Sequence, residues 1–322
     1  MLKIGFGYTR LCNFKCEFCY SKSVRGSWTK QDAVRVIADA VEHHGSVEVN
    51  WGTGENILAP EFVEVLREVH RLGVPQDLTT NGSIILRRQA LQYLDELDVS
   101  IDYPDPERHN KARGHLKAFE WATQAAKYAA RELGIQVTVT MVGMRGNLNY
   151  ETGYKMVELA RGLDAVALRL NMYFFTRPDR FVPSPAQVGD FLKGLRDAGA
   201  GIYGTSDPAV AKFLGVESAG YLGSVRLLPE KRVSPSTYLT SDEWAAPVQL
   251  PDFYNNFLKT DVYKRFEEIY KETFPRRSAD RVAVLGYDPY YVDGEVESVK
   301  LKRASGRSFI HLGYLPTTIF SV

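Results

Sequence analysis

The sequence is short of cysteine, with three in 322 residues and none after Cys19. An odd count, packed into eight residues of a long chain, excludes a disulfide framework. Net charge is also scarce: 40 Lys and Arg against 39 Asp and Glu leave +1, which excludes a surface that holds nucleic acid by neutralising phosphates. No apolar run approaches the length needed to span a bilayer, and the start, Met1-Leu2-Lys3-Ile4-Gly5-Phe6, has no signal-peptide h-region. No membrane and no nucleic-acid partner is therefore expected. No low-complexity linker divides the chain. The remaining composition, 44% hydrophobic and 25% charged, is that of a globular protein with length enough for one large α/β domain and an extension.

The three cysteines stand in Cys12-Asn13-Phe14-Lys15-Cys16-Glu17-Phe18-Cys19. Cys16 and Cys19 are close enough in sequence to bind one metal centre, and Cys12 can reach it from the preceding turn. Concentrated thiolates select zinc or an iron–sulfur cluster over hard cations. Three of them leave a cubane cluster one ligand short. On residue types alone a zinc site completed by His43 or His44 stays open, as does a non-catalytic zinc- or cluster-binding module. Thiols reserved for metal need a reducing compartment, so a cytoplasmic location is expected.

Periodicity predicts alternating strands and helices. The strands expected are Leu2 to Tyr8, Val47 to Trp51, Gln76 to Thr80, Asp98 to Asp102, Gln136 to Val142 and Ala165 to Leu170. The helices expected are Thr29 to His43, Glu61 to Leu72, Leu86 to Leu94, Leu116 to Leu133, Tyr150 to Arg161 and Pro185 to Ala198. Six βα units in a row imply a parallel sheet with right-handed crossovers, and α/β barrels build their sites from the loops after their strands. Beyond Gly199 the rhythm breaks into short strands and turns over Ser224 to Val248. A helix from Phe253 to Phe274, broken near Lys259-Thr260, and antiparallel strands in Arg281 to Val322, such as Val296 to Leu301, follow.

The cysteine spacing, with Phe18 just before the last cysteine, resembles the signature of radical S-adenosylmethionine (radical SAM) enzymes. The resemblance implies a partial (β/α)6 TIM-like barrel over 1–198 and a C-terminal α+β extension over 199–322. It implies one [4Fe–4S] cluster on Cys12, Cys16 and Cys19, whose open iron binds the amino and carboxylate groups of S-adenosylmethionine. Gly52-Thr53-Gly54-Glu55, after the second strand, resembles the Gly-Gly-Glu-Pro-like motif that holds the cofactor's amino group, although Thr53 and Asn56 depart from it. Small glycines permit close backbone approach and a carboxylate can pair with an ammonium. Ser100 and Asp102, followed by His109 to Gly114, look like the fourth-strand segment of peptide-modifying members. That likeness gives Ser100 and Arg113 contacts to the cofactor's carboxylate and ribose. Asn81, with Thr80 beside it, and Arg169 with Asn171 are further candidates for lining the same cavity, and Phe18 for packing near adenine or cluster. His109 reads as a capping or packing residue.

The segment Ser224 to Ser236 looks like the start of a SPASM-type extension, in which a cysteine would stand at Ser236 and more near Phe274 to Ser278. All are absent from the sequence, so no auxiliary cluster and no thiol hydrogen donor is expected. The resemblance implies cleavage of S-adenosylmethionine to a 5′-deoxyadenosyl radical that takes hydrogen from a ribosomal precursor peptide. The sub-class it points to is a splicease, which excises a tyramine unit and leaves an α-keto-β-amino acid. A flavodoxin or ferredoxin electron donor is implied. Because the sequence opens directly in strand one, a separate small peptide-recognition (RRE-type) protein is expected as partner. A radical enzyme acting on a small molecule is the alternative.

Overall fold

The computed structural model describes residues 2–173, 180–205, 224–235, 243–268 and 317–322. Among them the strands are, in chain order, β1 (Leu2–Gly7), β2 (Val47–Gly52), β3 (Gln76–Thr80), β4 (Glu96–Ser100), β5 (Gln136–Gly143), β6 (Ala167–Met172), β7 (Gly201–Thr205), β8 (Ser224–Leu228), β9 (Arg232–Ser234), β10 (Ala246–Pro247) and β11 (Thr317–Ser321). The helices are α1 (Lys30–His44), α2 (Phe62–Arg71), α3 (Pro106–Arg113), α4 (Ala118–Lys127), α5 (Tyr150–Gly162), α6 (Pro185–Asp197) and α7 (Phe253–Leu258). The chain forms two units. One comprises Met1–Ser100, Asn110–Val137 and Leu222–Phe266, the other Ile101–His109, Thr138–Tyr221 and Glu267–Val322.

In the first unit β1, β2, β3 and β4 are adjacent and parallel, as the βα alternation requires. Side chains alternate across each strand. Val47, Val49 and Trp51 of β2 and Leu97 and Val99 of β4 are buried apolar residues, while Asn50, Glu96 and Asp98 project from the opposite face. Phe6, Trp51, Tyr8 and Phe62 form the aromatic heart of this core, with Phe6 and Trp51 centroids 4.8 Å apart and Tyr8 and Phe62 5.3 Å apart. Helix α1 begins where Thr29 Oγ1 accepts the Asp32 N–H at 3.2 Å, a side-chain N-cap. It buries Ala33, Val36, Ile37 and Ala40.

The late chain adds β8 to this sheet, parallel to β1, with β9 antiparallel to β8 and β10 antiparallel to β9. Two contacts fix that addition. Trp28 Nε1 donates to the Leu228 carbonyl at 2.8 Å. The buried Asp39 carboxylate accepts the N–H groups of Asp252 and Phe253 at 2.7 and 3.0 Å, satisfying two orphan donors at the start of α7.

In the second unit β5 and β6 are parallel, β11 is antiparallel to β6, and β7 is antiparallel to β11. Helix α6 opens with a full capping box between Ser184 and Gln187, and α5 with Asn149 accepting from Thr152 N–H at 2.9 Å. The fold class is thus α/β as expected, and neither unit's described strands close into a ring.

Several elements differ from the sequence reading. The helix expected over Leu86 to Leu94 is a run of 3-10 turns, Ser83–Tyr93, broken at Arg87 (φ −133°, ψ 46°). Leu86 is 61% exposed while Ile84 and Leu91 are fully buried, so the apolar residues do not share one helical face. β4 ends at Ser100, which leaves Asp102 in the loop after it rather than in the strand. β6 begins two residues later than expected, at Ala167. Helix α3 was not foreseen because its sequence, PERHNKAR, has no apolar stripe. The π-helical turn Tyr128–Glu132 ends the helix expected to Leu133. Helix α7 stops at Leu258, at the break expected near Lys259-Thr260. The strands expected around Val296 to Leu301, and the positions Ser236 and 274–278, lie outside the described residues.

Candidate functional site

Among the described residues, the cysteine loop after β1, the Glu55 turn after β2 and Asn81 after β3 lie together in the first unit. The cysteine loop is anchored by the chain around it. Thr9 Oγ1 accepts the Leu11 N–H at 3.2 Å, the Glu55 N–H donates to the Leu11 carbonyl at 2.6 Å, and the Lys15 N–H to the Arg113 carbonyl at 3.2 Å. Cys16 is buried, Cys19 is partly exposed and Cys12 is exposed. Cys12 Sγ accepts from the Phe14 N–H at 3.5 Å and from Asn81 Nδ2 at 3.8 Å. Cys16 Sγ lies 3.6 Å from the Arg113 carbonyl, and Cys19 Sγ 3.1 Å from Ser21 Oγ.

Zinc and a cubane cluster ask different spacings of the sulfurs that hold them. A tetrahedral zinc ion with Zn–S of about 2.3 Å draws its sulfurs to within roughly 3.8 Å of one another. Among the described residues the group of three potential ligands gathered within 4.8 Å is Asp77, Glu96 and Asp98, and not the three cysteines. A cubane, which takes each thiolate on a different iron, accepts the wider spread. His43 and His44 offer zinc nothing here. They end α1, next to Asp39 and Asp252, and a helix of a parallel βα unit ends at the opposite edge of the sheet from the loop that follows β1.

After β2 the backbone takes a constrained path. Thr53 and Gly54 both have φ of 68°, a left-handed conformation costly for threonine. A Cβ on Gly54 would lie 2.5 Å from the Thr9 carbonyl oxygen and 2.6 Å from that of Leu11. Only glycine fits against the cysteine loop. The turn delivers Glu55 into the interior, 1% exposed. Its Oε1 accepts from Thr80 Oγ1 and its Oε2 from the Asn81 N–H, both at 2.7 Å. Burial pushes the Glu55 carboxyl up to about 7, against the lowering effect of those two hydrogen bonds and of the Arg113 charge. A carboxylate so placed is stabilised by the arrival of a cation such as an ammonium.

Asn81 joins this loop to the cysteines. Its side-chain oxygen accepts from the Ser83 N–H at 3.0 Å, and its Nδ2 donates to Asn13 Oδ1 at 3.1 Å as well as to Cys12. Partial shielding from water pushes the Cys12 thiol up to about 11, with Glu55 and the other two thiols adding to the rise. A thiolate there needs a cationic partner, and iron is one. Arg113 is buried, with its guanidinium over the Phe18 ring at 5.3 Å. Ser100, at the end of β4, is buried, and Gly52 closes β2.

The first unit therefore brings Cys12, Cys16, Cys19, Phe18, Gly52, Gly54, Glu55, Asn81, Ser100 and Arg113 into one body. Asp102, Arg169 and Asn171 belong to the second. Asp102 is fully buried, its Oδ1 accepting from the Val142 N–H at 2.9 Å and its backbone N–H donating to His109 Nδ1 at 3.1 Å, which is the packing role expected of His109. Arg169 and Asn171 are half-buried on β6. Sequence reasoning missed Arg226, a buried arginine of β8 whose Nη2 donates to Thr53 Oγ1 at 2.7 Å. A charge inside the otherwise apolar run Val225-Arg226-Leu227-Leu228 was the available signal. It also missed the carboxylates Asp77, Glu96 and Asp98, which share the face of β3 and β4 away from Leu78 and Leu97.

Fold and site together define an α/β chain with a three-cysteine loop after its first strand and a buried carboxylate after its second. Residues 7–159, just under half of the chain, match the model of the Radical SAM superfamily, whose members use a [4Fe–4S] cluster and S-adenosylmethionine. Among curated proteins, the chain is 25% identical over 155 residues to an AdoMet-dependent heme synthase of Oleidesulfovibrio alaskensis, covering 46% of this chain and 39% of that protein. It is 28% identical over 169 residues to a probable GTP 3′,8-cyclase of Saccharolobus islandicus, covering 50% and 54%. The chain thus spans about half the length, or less, of these relatives. In structure it resembles native anSMEcpe with bound AdoMet (TM-score 0.68, 16% identity, 94% of this chain and 93% of that one). It also resembles Streptococcus suis SuiB bound to S-adenosylmethionine (TM-score 0.65, 14% identity, 83% and 68%). At these identities the likeness is one of fold. No helix of the described residues is long and apolar enough to cross a membrane.

Proposed function

We propose that this protein is a radical SAM enzyme with a single [4Fe–4S] cluster that modifies a ribosomal precursor peptide, excising a tyramine unit as a splicease does. The observation that carries the radical reading is the joining of Glu55 and Cys12 through Asn81, which puts a cation-seeking carboxylate and a three-thiolate loop on one hydrogen-bonded frame. Cys12, Cys16 and Cys19 would hold the cluster. Glu55 would accept hydrogen bonds from the cofactor's amino group, with Thr80 and Asn81 keeping both carboxylate oxygens in place. Arg113, over Phe18, and Ser100 would face its carboxylate and ribose. When bound, cluster and S-adenosylmethionine supply one-electron reductive chemistry that yields a carbon radical able to remove hydrogen from a substrate. The chain's own part is to bind, orient and shield.

Support for one cluster is the absence of any cysteine beyond Cys19. The proposed layout is a barrel domain over 1–198 and a cluster-free extension over 199–322. A flavodoxin or ferredoxin donor and a separate recognition protein complete the reading. The peptide class is consistent with the fold shared with SuiB, a protein solved with its precursor peptide SuiA. Small-molecule chemistry is the second reading, favoured by the curated relatives, which include a probable GTP 3′,8-cyclase. Mass spectrometry of a candidate precursor peptide after co-expression separates the two: a mass loss matching tyramine supports the splicease, and an unmodified peptide with cofactor cleavage intact favours the small molecule.

A further inference from the structure

Arg226 is a buried arginine that neither the cluster nor the cofactor reading uses. It lies on β8, in register with Gly5 of β1, which is itself opposite Asn50 of β2. It is 6% exposed. Its Nη2 donates to Thr53 Oγ1 at 2.7 Å, and its Nε has no hydrogen-bond partner. Among the described residues no carboxylate forms an ion pair with it. An arginine does not shed its proton on burial, so the charge stays, and an uncompensated buried charge is costly.

The sheet makes room for this side chain. A Cβ on Gly5 would lie 2.5 Å from Arg226 Nη1, and one on Gly52 2.9 Å from Nη2. Glycine at both positions lets the guanidinium lie flat across β1 and β2, beside the turn that delivers Glu55. Thr53, its one neutral acceptor, is held in the left-handed conformation at φ 68°. The fork is thus positioned and desolvated without an anion among the described residues, which is the state of a binding residue before its ligand arrives.

We propose that Arg226 receives an oxyanion of the substrate, a carboxylate or phosphate bound through the guanidinium fork next to the Glu55 turn. This rests on the radical SAM reading for the identity of the neighbouring cofactor. S-adenosylmethionine carries a carboxylate too, and it is the other source of the same chemistry; the proposed function gives that group to Ser100 and Arg113, leaving Arg226 for the substrate.

The test uses the anaerobically reconstituted full chain, with acetate and inorganic phosphate as probes at fixed ionic strength against chloride. Thermal midpoints are recorded for the wild type, Arg226→Met and Arg226→Lys, with and without saturating S-adenosylmethionine. The expected result is a rise of roughly 2 °C with either probe in the wild type, retained in the presence of S-adenosylmethionine. The rise is lost in Arg226→Met and weakened in Arg226→Lys, which keeps charge but not the fork. If Arg226→Met does not fold, the lysine variant and the wild type decide alone. A wild type indifferent to both probes overturns the proposal, and so does a methionine variant that responds like the wild type. A rise abolished by S-adenosylmethionine overturns the substrate assignment and gives the arginine to the cofactor. Iron content and cofactor binding, measured on the same samples, report separately on the radical SAM reading.

Discussion

The Asn81 backbone N–H donates to Glu55 Oε2 at 2.7 Å, while the Asn81 side-chain amide reaches Cys12 Sγ at 3.8 Å. One residue at the end of β3 thus holds both the carboxylate from the β2 loop and a sulfur from the β1 loop. Truncating its side chain divides these roles. Asn81→Ala keeps the backbone bond to Glu55 and removes the bonds to Asn13, Ser83 and Cys12. The expected cost is about 1–3 kcal/mol of stability and a faster loss of iron to a chelator. Unchanged chelation kinetics would show that Asn81 does not brace the cysteine loop.

Glu55 gives the fold a pH signature. Its folded value of about 7 stands above the ordinary 4.5, so an unfolded chain surrenders this proton first. The contribution of the protonated group to stability is fully present below about pH 4.5 and lost as pH rises through 7. Glu55→Gln cannot lose that proton. Its stability relative to the wild type should therefore rise between pH 5 and pH 8, by on the order of 3 kcal/mol at most. Denaturant unfolding of both proteins at the two pH values measures it, and a pH-independent difference refutes the assignment.

The same residue governs cofactor affinity. If Glu55 accepts hydrogen bonds from the cofactor's amino group, its carboxylate form is the better acceptor, and S-adenosylmethionine should bind more tightly as pH rises from 6 to 8. Replacing the carboxylate by an amide should weaken binding by roughly 10- to 100-fold, the worth of a hydrogen bond to a charged group, and flatten the pH profile. Equilibrium binding to the reconstituted protein decides. Equal affinities of Glu55→Gln and the wild type would remove Glu55 from the site.

Backbone geometry makes a prediction of its own. Gly54 and Gly73 both have positive φ, 68° and 71°, but a Cβ on Gly73 meets nothing within 4 Å, whereas one on Gly54 runs into two carbonyl oxygens. Gly73→Ala should cost about 1 kcal/mol, the conformational penalty alone. Gly54→Ala adds a collision with backbone that cannot move without displacing the cysteine loop, and should lose bound iron as well as stability. Thermal melts and iron content, compared between the two variants, separate conformation from collision. Similar losses in both would mean that the approach of Gly54 to the loop is not a constraint.

How much of this the sequence carries depends on how local the determinants are. Cys12, Cys16 and Cys19 sit in one loop and Glu55 in one turn, so spacing and strand position suffice to find them. The end of β4 was misplaced because Ser100-Ile101-Asp102 alternates like a strand, while the structure turns after Ser100 and uses the Asp102 carboxylate to cap the Val142 N–H. Helix α3 escaped because PERHNKAR carries no apolar periodicity. The charge of Arg226 inside an apolar run marks the residue in the sequence, but its role is not legible there. Its meaning depends on the pairing of β8 with β1 and on the space left by Gly5 and Gly52, contacts more than 170 residues apart that no local pattern encodes.

The central claim is that Cys12, Cys16 and Cys19 hold one [4Fe–4S] cluster that works on S-adenosylmethionine held by Glu55. The most direct measurement is metal content together with electron paramagnetic resonance of the anaerobically purified, reduced chain, before and after adding S-adenosylmethionine. About four irons per chain, a cluster signal that changes on adding the cofactor, and loss of both in the triple variant Cys12→Ala, Cys16→Ala and Cys19→Ala are predicted. Zinc without iron, or eight or more irons per chain, contradicts the account.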